Sequence, residues 1–219
     1  MPGYEVAYKT YSVGHRDYRL CSLSDAEQYC DPEGEALRRG ISREAWALFG
    51  QVWPSGQVLA EVMLTEGIQG RRVLELGAGL ALASLVVHSR GGDMTVSDIH
   101  PLIPRFLEEN LRMNALAPLR YEVADWADAE RNLGAFDLII GSDLLYERGQ
   151  AELLADVIDR HCAERAEVLI VDPDRRPQAA FRAHMQEMGF NVRQTRADRR
   201  FANGETYRGS LLRFARDDR

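Results

Sequence analysis

The hydrophobic pattern changes period near residue 70. Before it, Tyr4 to Val13 alternates apolar and polar residues, Gly14-His15-Arg16-Asp17 carries turn chemistry, and Tyr18-Arg19-Leu20-Cys21 resumes the alternation, which predicts a β-hairpin. Asp31-Pro32-Glu33-Gly34 reads as a turn. Ser42-Arg43-Glu44 predicts a helix with Ser42 as its N-cap. A second helix is expected from Pro54-Ser55, with Val58, Leu59, Val62 and Met63 on its apolar face before Gly67. Beyond residue 71, short apolar runs alternate with helical-period segments. Strands are expected at Val73–Leu76, Met94–Ser97, Arg120–Ala124, Phe136–Ile140, Val168–Val171, Phe190–Gln194 and Ser210–Phe214. Helices are expected near 80–90, 102–114, 149–162 and 177–188. The last strand follows a polar loop with Asn203-Gly204 and no helix, so the final pair is expected to be antiparallel. The pattern predicts an α/β fold: a mostly parallel seven-stranded sheet with helices on both faces, plus an N-terminal hairpin/helix extension. Residues 51–219 make the domain and residues 1–50 the extension.

The chemistry concentrates where strands end. Arg72-Val73-Leu74-Glu75-Leu76-Gly77-Ala78-Gly79-Leu80-Ala81 runs from an apolar strand through a glycine turn into a helix, and the next strand closes with Val96-Ser97-Asp98. This is the first βαβ unit of a Rossmann-like nucleotide-binding domain. Glu75 is expected in the turn, where a dinucleotide's pyrophosphate would have to approach. A carboxylate there repels phosphate and suits a cation such as the sulfonium and amino groups of S-adenosyl-L-methionine. Asp98 lies 21 positions after Gly77, the spacing of a carboxylate that accepts from ribose hydroxyls. A helix N-cap before Pro101 is its other reading.

Ligands of such sheets sit beyond the carboxyl ends of the strands, so the other strand ends matter equally. They carry Asp125 and Trp126, Ser142 and Asp143, and Asp172. Asp125 is expected to accept from an adenine amino group while Trp126 gives it a flat apolar contact, or else Trp126 packs in the core. Asp143 and Tyr146, three apart at the start of a helix, are expected to share a face and fix an amine near the transferable methyl. A capping aspartate beside a half-buried tyrosine is the structural alternative.

Composition narrows the partners. With 45% hydrophobic and 28% charged residues the chain is an ordinary globular protein, and its net charge of −7 gives no phosphate attraction. No nucleic-acid partner is therefore expected. No apolar run approaches 18 residues, so no membrane span is expected. Met1-Pro2-Gly3-Tyr4-Glu5 has no secretory-signal pattern, and Cys21, Cys30 and Cys162 form no Cys-x-x-Cys pair, which points to reduced thiols in the cytoplasm. The five histidines show no zinc spacing, and no metal is expected.

From about Val52 onward the chain resembles the seven-β-strand class I methyltransferases of methyltransferase family 16, which include many protein-lysine methyltransferases. The carriers are Val52-Trp53-Pro54-Ser55-Gly56-Gln57-Val58-Leu59-Ala60, Leu74-Glu75-Leu76-Gly77-Ala78-Gly79, Asp125-Trp126, and Phe136-Asp137-Leu138-Ile139-Ile140-Gly141-Ser142-Asp143-Leu144-Leu145-Tyr146. The resemblance implies that Trp53 helps cover the cofactor and that Asp143 and Tyr146 match an Asp-x-x-Tyr substrate signature. Trp53, Glu75, Gly77, Gly79, Asp98, Asp125, Trp126 and Ser142 are then expected to hold S-adenosyl-L-methionine, leaving S-adenosyl-L-homocysteine as product. The expected acceptor is a protein lysine amine. Alternatives are a small-molecule amine or hydroxyl and a non-catalytic, cofactor-binding regulator. The family often has a third glycine where this chain has Ala81, which is tolerable if that residue is helical. Residues 1–50 match no family pattern and are expected to act as a cap or substrate-recognition element.

Overall fold

The computed structural model describes residues 3–147 and 149–216. The chain opens with an antiparallel hairpin, β1 (Val6–Val13) and β2 (Arg16–Leu23), in which Val13 faces Arg16. The connection is therefore only Gly14-His15, tighter than the four-residue turn expected. Gly14 supplies the positive φ that such a short loop needs. The segment taken as a turn at Asp31 also caps a short helix, α1 (Glu35–Arg38): the Asp31 carboxylate accepts from the N–H groups of Ala36 and Leu37 at 3.2 and 3.0 Å. The helix expected from Ser42 is instead a 3₁₀ helix at Trp46–Gly50, while the Ser42 hydroxyl closes the preceding turn by accepting from the Ala45 N–H. The tighter period has a packing reason. It aligns residues three apart, and Trp46 and Phe49 meet edge to face with ring centroids 5.9 Å apart.

Helix α2 (Pro54–Val62) starts with Pro at its first position and buries Val58 and Leu59. Then come β3 (Arg72–Glu75), α3 (Leu82–Ser89), β4 (Asp93–Asp98), α4 (Ile103–Met113), β5 (Arg120–Val123), β6 (Phe136–Ser142), α5 (Gln150–His161), β7 (Cys162–Asp172), α6 (Pro177–Glu187) and β8 (Asn191–Arg196). A two-residue pair not anticipated from the sequence, β9 (Arg199–Arg200) and β10 (Thr206–Tyr207), precedes β11 (Ser210–Arg216). The main sheet has seven strands in the order β5-β4-β3-β6-β7-β11-β8. Strand β11 runs antiparallel to both neighbours, β7 and β8, whereas β5, β4, β3, β6 and β7 pair in parallel. Strand order reverses beside β3, which leaves a crevice above the β3 and β6 ends.

Successive residues of the central strands serve opposite faces. Val73, Leu138, Ile140, Leu169 and Val171 pack with α2, α3, α4 and the hairpin, whereas Leu74, Ile139, Val168 and Ile170 pack with α5 and α6. The hairpin thus belongs to the core of one face through Tyr18, Leu20 and Leu23. Its free edge is paired by side chains. Asn110 of α4 accepts from the Cys21 N–H at 2.7 Å, and Asn114, one turn later, both accepts from the Arg19 N–H and donates to its carbonyl. No described helix is long and apolar enough to cross a membrane.

Replacing Asn110 by Ala strands the buried Cys21 N–H. We expect a loss of about 1–3 kcal/mol in urea unfolding, the cost of an unsatisfied buried donor, with the denaturant slope unchanged.

Candidate functional site

A cavity of about 590 Å³ opens above the carboxyl ends of the strands. The ten residues expected to hold the cofactor or act on the acceptor line it: Trp53, Glu75, Gly77, Gly79, Asp98, Asp125, Trp126, Ser142, Asp143 and Tyr146. Its size is that of a pocket that encloses most of a small ligand.

The glycine loop forms the floor. Gly77 and Gly79 both have positive φ, and a methyl at Gly77 would lie 2.6 Å from Leu144 Cδ2. Only a residue without Cβ lets the backbone run this close to its neighbours. Ala81 departs from expectation. It is not helical but the left-handed N-cap of α3, at φ 60° and ψ 33°, a conformation that costs an alanine about 1–2 kcal/mol. A glycine at this position would avoid that cost.

Glu75 is the last residue of β3, not part of the turn. The strand extends to it because its backbone still pairs in the sheet, opposite Val96 and Ile140. Its buried carboxylate turns toward α3, where Oε2 accepts from the Ser84 N–H at 3.0 Å and from the Ser84 hydroxyl. Burial pushes its pKa up to about 7, against the lowering effect of the Ser84 hydrogen bonds. Asp98 is likewise engaged by backbone: Oδ2 accepts from the Gly79 N–H and Oδ1 from the His100 N–H, both at 2.9 Å. Burial raises its pKa too. Each carboxylate therefore shapes the loop as well as charging the cavity.

Beyond Asp98, His100 stacks on Phe49 with ring centroids 3.8 Å apart and touches Trp46 edge-on. The Leu102 N–H donates to its Nδ1, so the neutral ring carries its proton on Nε2. That buried Nε2 has no protein partner, and burial pushes the ring's pKa down to about 3. His100 is thus a neutral, unspent donor lining the cavity. Across the cavity, Asp125 closes a turn through the Ala127 N–H, and the Trp126 ring lies against Gly77. Trp53 caps α2 at the rim, its indole N–H donating to the Leu48 carbonyl at 3.0 Å.

The segment after β6 corrects the helical expectation. Asp143 has φ 61°, its N–H still donates to the Val171 carbonyl, and α5 begins only at Gln150 after a left-handed Gly149. Asp143 and Tyr146 therefore do not share a helix face. They reach the same cavity because Leu144 and Leu145 between them are buried anchors, with Leu144 filling the space left by Gly77 and Gly141. Gln150 accepts from the N–H groups of Tyr146 and Glu147, which fixes the loop. Tyr146 is half exposed, and its phenol pKa is raised, first by loss of water.

Sequence reasoning missed three groups. Arg39 and the 40–49 segment form one wall. His100 is the second. Arg175, three residues beyond the strand-ending Asp172, is the third: its Nη1 donates to Asp143 Oδ1. The signal for Arg175 was the charged run Asp172-Pro173-Asp174-Arg175-Arg176 directly after a buried strand. Asp172 itself does not line the cavity but accepts from the Arg175 N–H at 2.8 Å.

A family model described as lysine methyltransferase matches residues 42–188. The chain belongs to this lysine methyltransferase family. Among its relatives, the electron transfer flavoprotein beta subunit lysine methyltransferase of Xenopus laevis is 31% identical over 143 residues, 64% of this chain and 55% of that protein. EEF1A lysine methyltransferase 3 of Mus musculus is 25% identical over 178 residues, 77% of this chain and 75% of that protein. The chain spans about half the length of the first relatives it matches. A solved methyltransferase from Pyrococcus furiosus shares the fold, with a TM-score of 0.60 at 17% identity over 84% of this chain and 99% of that one. The family match covers the glycine loop, Asp98, Asp143 and Arg175 alike, and starts at Ser42 on the cavity wall.

The cavity of this family member fits a cationic nucleoside. The glycine loop gives close backbone approach, His100 offers an unspent donor, and the carboxylates of Asp98, Asp125, Asp143 and Glu147 line it. The buried Glu75 also makes a pH prediction. Its folded pKa of about 7 lies above the ordinary 4.5, so protonation stabilises the native protein. That contribution is complete below pH 4.5 and lost as pH rises through 7. Relative to Glu75→Gln, the ligand-free protein should lose about 3 kcal/mol between these limits, read from urea midpoints across the range.

Proposed function

We propose that the protein is an S-adenosyl-L-methionine-dependent methyltransferase of the cytoplasm whose acceptor is a lysine side chain of another protein. The observation that carries this reading is the meeting of the Gly77–Gly79 loop with Asp143 and Tyr146 in one cavity, in a chain of the lysine methyltransferase family. From the named relatives we take the acceptor class and not the individual substrate.

On this reading Gly77, Gly79 and Asp98 hold the cofactor, with Glu75 bracing the loop beneath it. Trp126 and Trp53 border it, Asp125 accepts from its base, and Ser142 stands at the β6 end. When bound, S-adenosyl-L-methionine supplies a methyl on a sulfonium, which becomes a neutral thioether as the acceptor nitrogen takes the methyl and the positive charge. The protein's part is alignment and charge. Asp143 and Tyr146 orient the amine by hydrogen bonds, and the apolar Leu144 and Leu145 beneath them keep the loop in place. The 39–49 wall puts part of the N-terminal extension beside the cavity, so residues 1–50 contribute to acceptor selection.

Incubation with methyl-tritiated S-adenosyl-L-methionine and cell protein, followed by acid hydrolysis, should give labelled methyl-lysine. Label confined to small molecules would overturn the protein-lysine reading. Asp98→Ala should weaken S-adenosyl-L-homocysteine binding by about 1–3 kcal/mol in calorimetry, and unchanged affinity would remove Asp98 from the cofactor's ligands.

Asp143→Asn and Tyr146→Phe keep shape while removing a charge and a hydroxyl. Each is expected to slow transfer about tenfold, equivalent to about 1.4 kcal/mol at the transition state, with calorimetric product affinity unchanged. Full activity in both variants would reduce the segment to a structural role.

A further inference from the structure

The lysine reading carries an electrostatic conflict. Only the neutral amine has the lone pair that attacks a methyl, and about one lysine side chain in a thousand is neutral at pH 7.4. A carboxylate beside the nitrogen stabilises the ammonium and makes the neutral form rarer still, by tenfold or more. Asp143 taken alone would therefore hold the acceptor in its unreactive state.

Asp143 is not alone. Arg175 Nη1 donates to its Oδ1, and both side chains line the cavity, the carboxylate only 11% exposed. The arginine is held there by its own loop. Asp172 Oδ1 accepts from the Arg175 N–H at 2.8 Å, Asp174 turns the chain with φ 60°, and Arg196 and Gln178 hold Asp174 at 2.5 and 3.2 Å. About a third of this side chain stays exposed at the cavity mouth.

We propose that Arg175 is a positioning residue that acts through Asp143, binding one carboxylate oxygen and offsetting its charge so that the other can orient the acceptor lysine as a neutral amine. This rests on the protein-lysine reading above. The ammonium gives its proton to water, the nitrogen then forms its bond to the methyl carbon, and the carbon–sulfur pair stays with sulfur. Asp143 aligns the nitrogen without retaining its proton.

The groups around the pair are fixed in charge or opposed to Arg175. Tyr146 and Glu147 flank it on the same loop, Asp172 and Asp174 stand at the end of β7, Tyr207 approaches from β10, and Asp98 from β4. Burial raises both phenols, Tyr207 up to about 12, so each stays neutral at working pH. The remaining groups are carboxylates. Among the described residues, the other arginine on the cavity is Arg39, which is already bonded to Glu35 and to the Ile99 carbonyl. Arg175 therefore supplies the local positive charge at Asp143.

The test is the rate of methyl transfer against pH, from 6.5 to 10, with saturating tritiated S-adenosyl-L-methionine. The acceptor is heat-treated total cell protein, and the most strongly labelled band is followed. Lys9 is the single lysine of the chain, so label on the enzyme itself is confined to one residue and resolved on the gel. Arg175→Gln should cut the rate at pH 7.5 at least tenfold and move the rising alkaline limb up by about one pH unit. Arg175→Lys, which keeps the charge, should keep the limb within a few tenths of the original. A slower Arg175→Gln enzyme with an unmoved limb would overturn the proposal and leave Arg175 a structural role, as would a shifted limb in Arg175→Lys. If Arg175→Gln does not fold, Arg175→Met, which also removes the charge, takes its place: the same upward shift of the limb is expected, and an unmoved limb would overturn the proposal. Absence of methyl-lysine with the original protein would instead remove the protein-lysine reading, and this inference with it.

Discussion

Two buried carboxylates hold the glycine loop in shape, and the rest of the site is built on that loop. Glu75, at the end of β3, ties itself to Ser84 in the first turn of α3, and Asp98, at the end of β4, ties itself to Gly79 and His100. Burying a carboxylate is costly unless hydrogen bonds replace its water, and here the donors are the N–H groups of Gly79, His100 and Ser84 together with the Ser84 hydroxyl. The loop can then sustain positive φ at three alternate residues, Gly77, Gly79 and Ala81. The same charges give the cavity its preference for a cation.

The cavity mouth follows a different logic. Leu144 and Leu145 anchor a non-helical segment, which leaves Asp143 and Tyr146 free to face the cavity. The Asp143 carboxylate does not stand alone there. The Asp172-Pro173-Asp174-Arg175 turn at the neighbouring strand end brings a guanidinium to it. Two adjacent parallel strands, β6 and β7, thus deliver opposite charges to one point, as their shared direction allows.

The N-terminal extension is integrated through polar as well as apolar contacts. Asn110 of α4 and Asn114, the residue that caps its C-terminus, pair with the outer backbone edge of β2 at Cys21 and Arg19. Aromatic packing of Trp46, Phe49, His100 and Phe106 then carries that rigidity to the cavity wall.

Periodicity alone determined the fold class. Strands buried on both faces and helices of 3.6 period leave little choice but a parallel sheet covered on both sides, and the helix-free polar loop before Ser210 marks the antiparallel strand. The residues at the strand ends were legible too, because side chains at those positions are brought together by any such sheet. What the sequence left undetermined depends on contacts distant along the chain. Whether Ser42 starts an α-helix was decided by the aromatic core that favours a 3₁₀ turn. Whether Asp143 and Tyr146 ride a helix was decided by the space under Gly77 and Gly141, which draws Leu144 inward. The partner of Asp143 lies 32 residues away, in a loop set by Asp172. Local pattern reports which face of an element is buried, but a charge's partner is fixed only when the sheet sets two strand ends side by side.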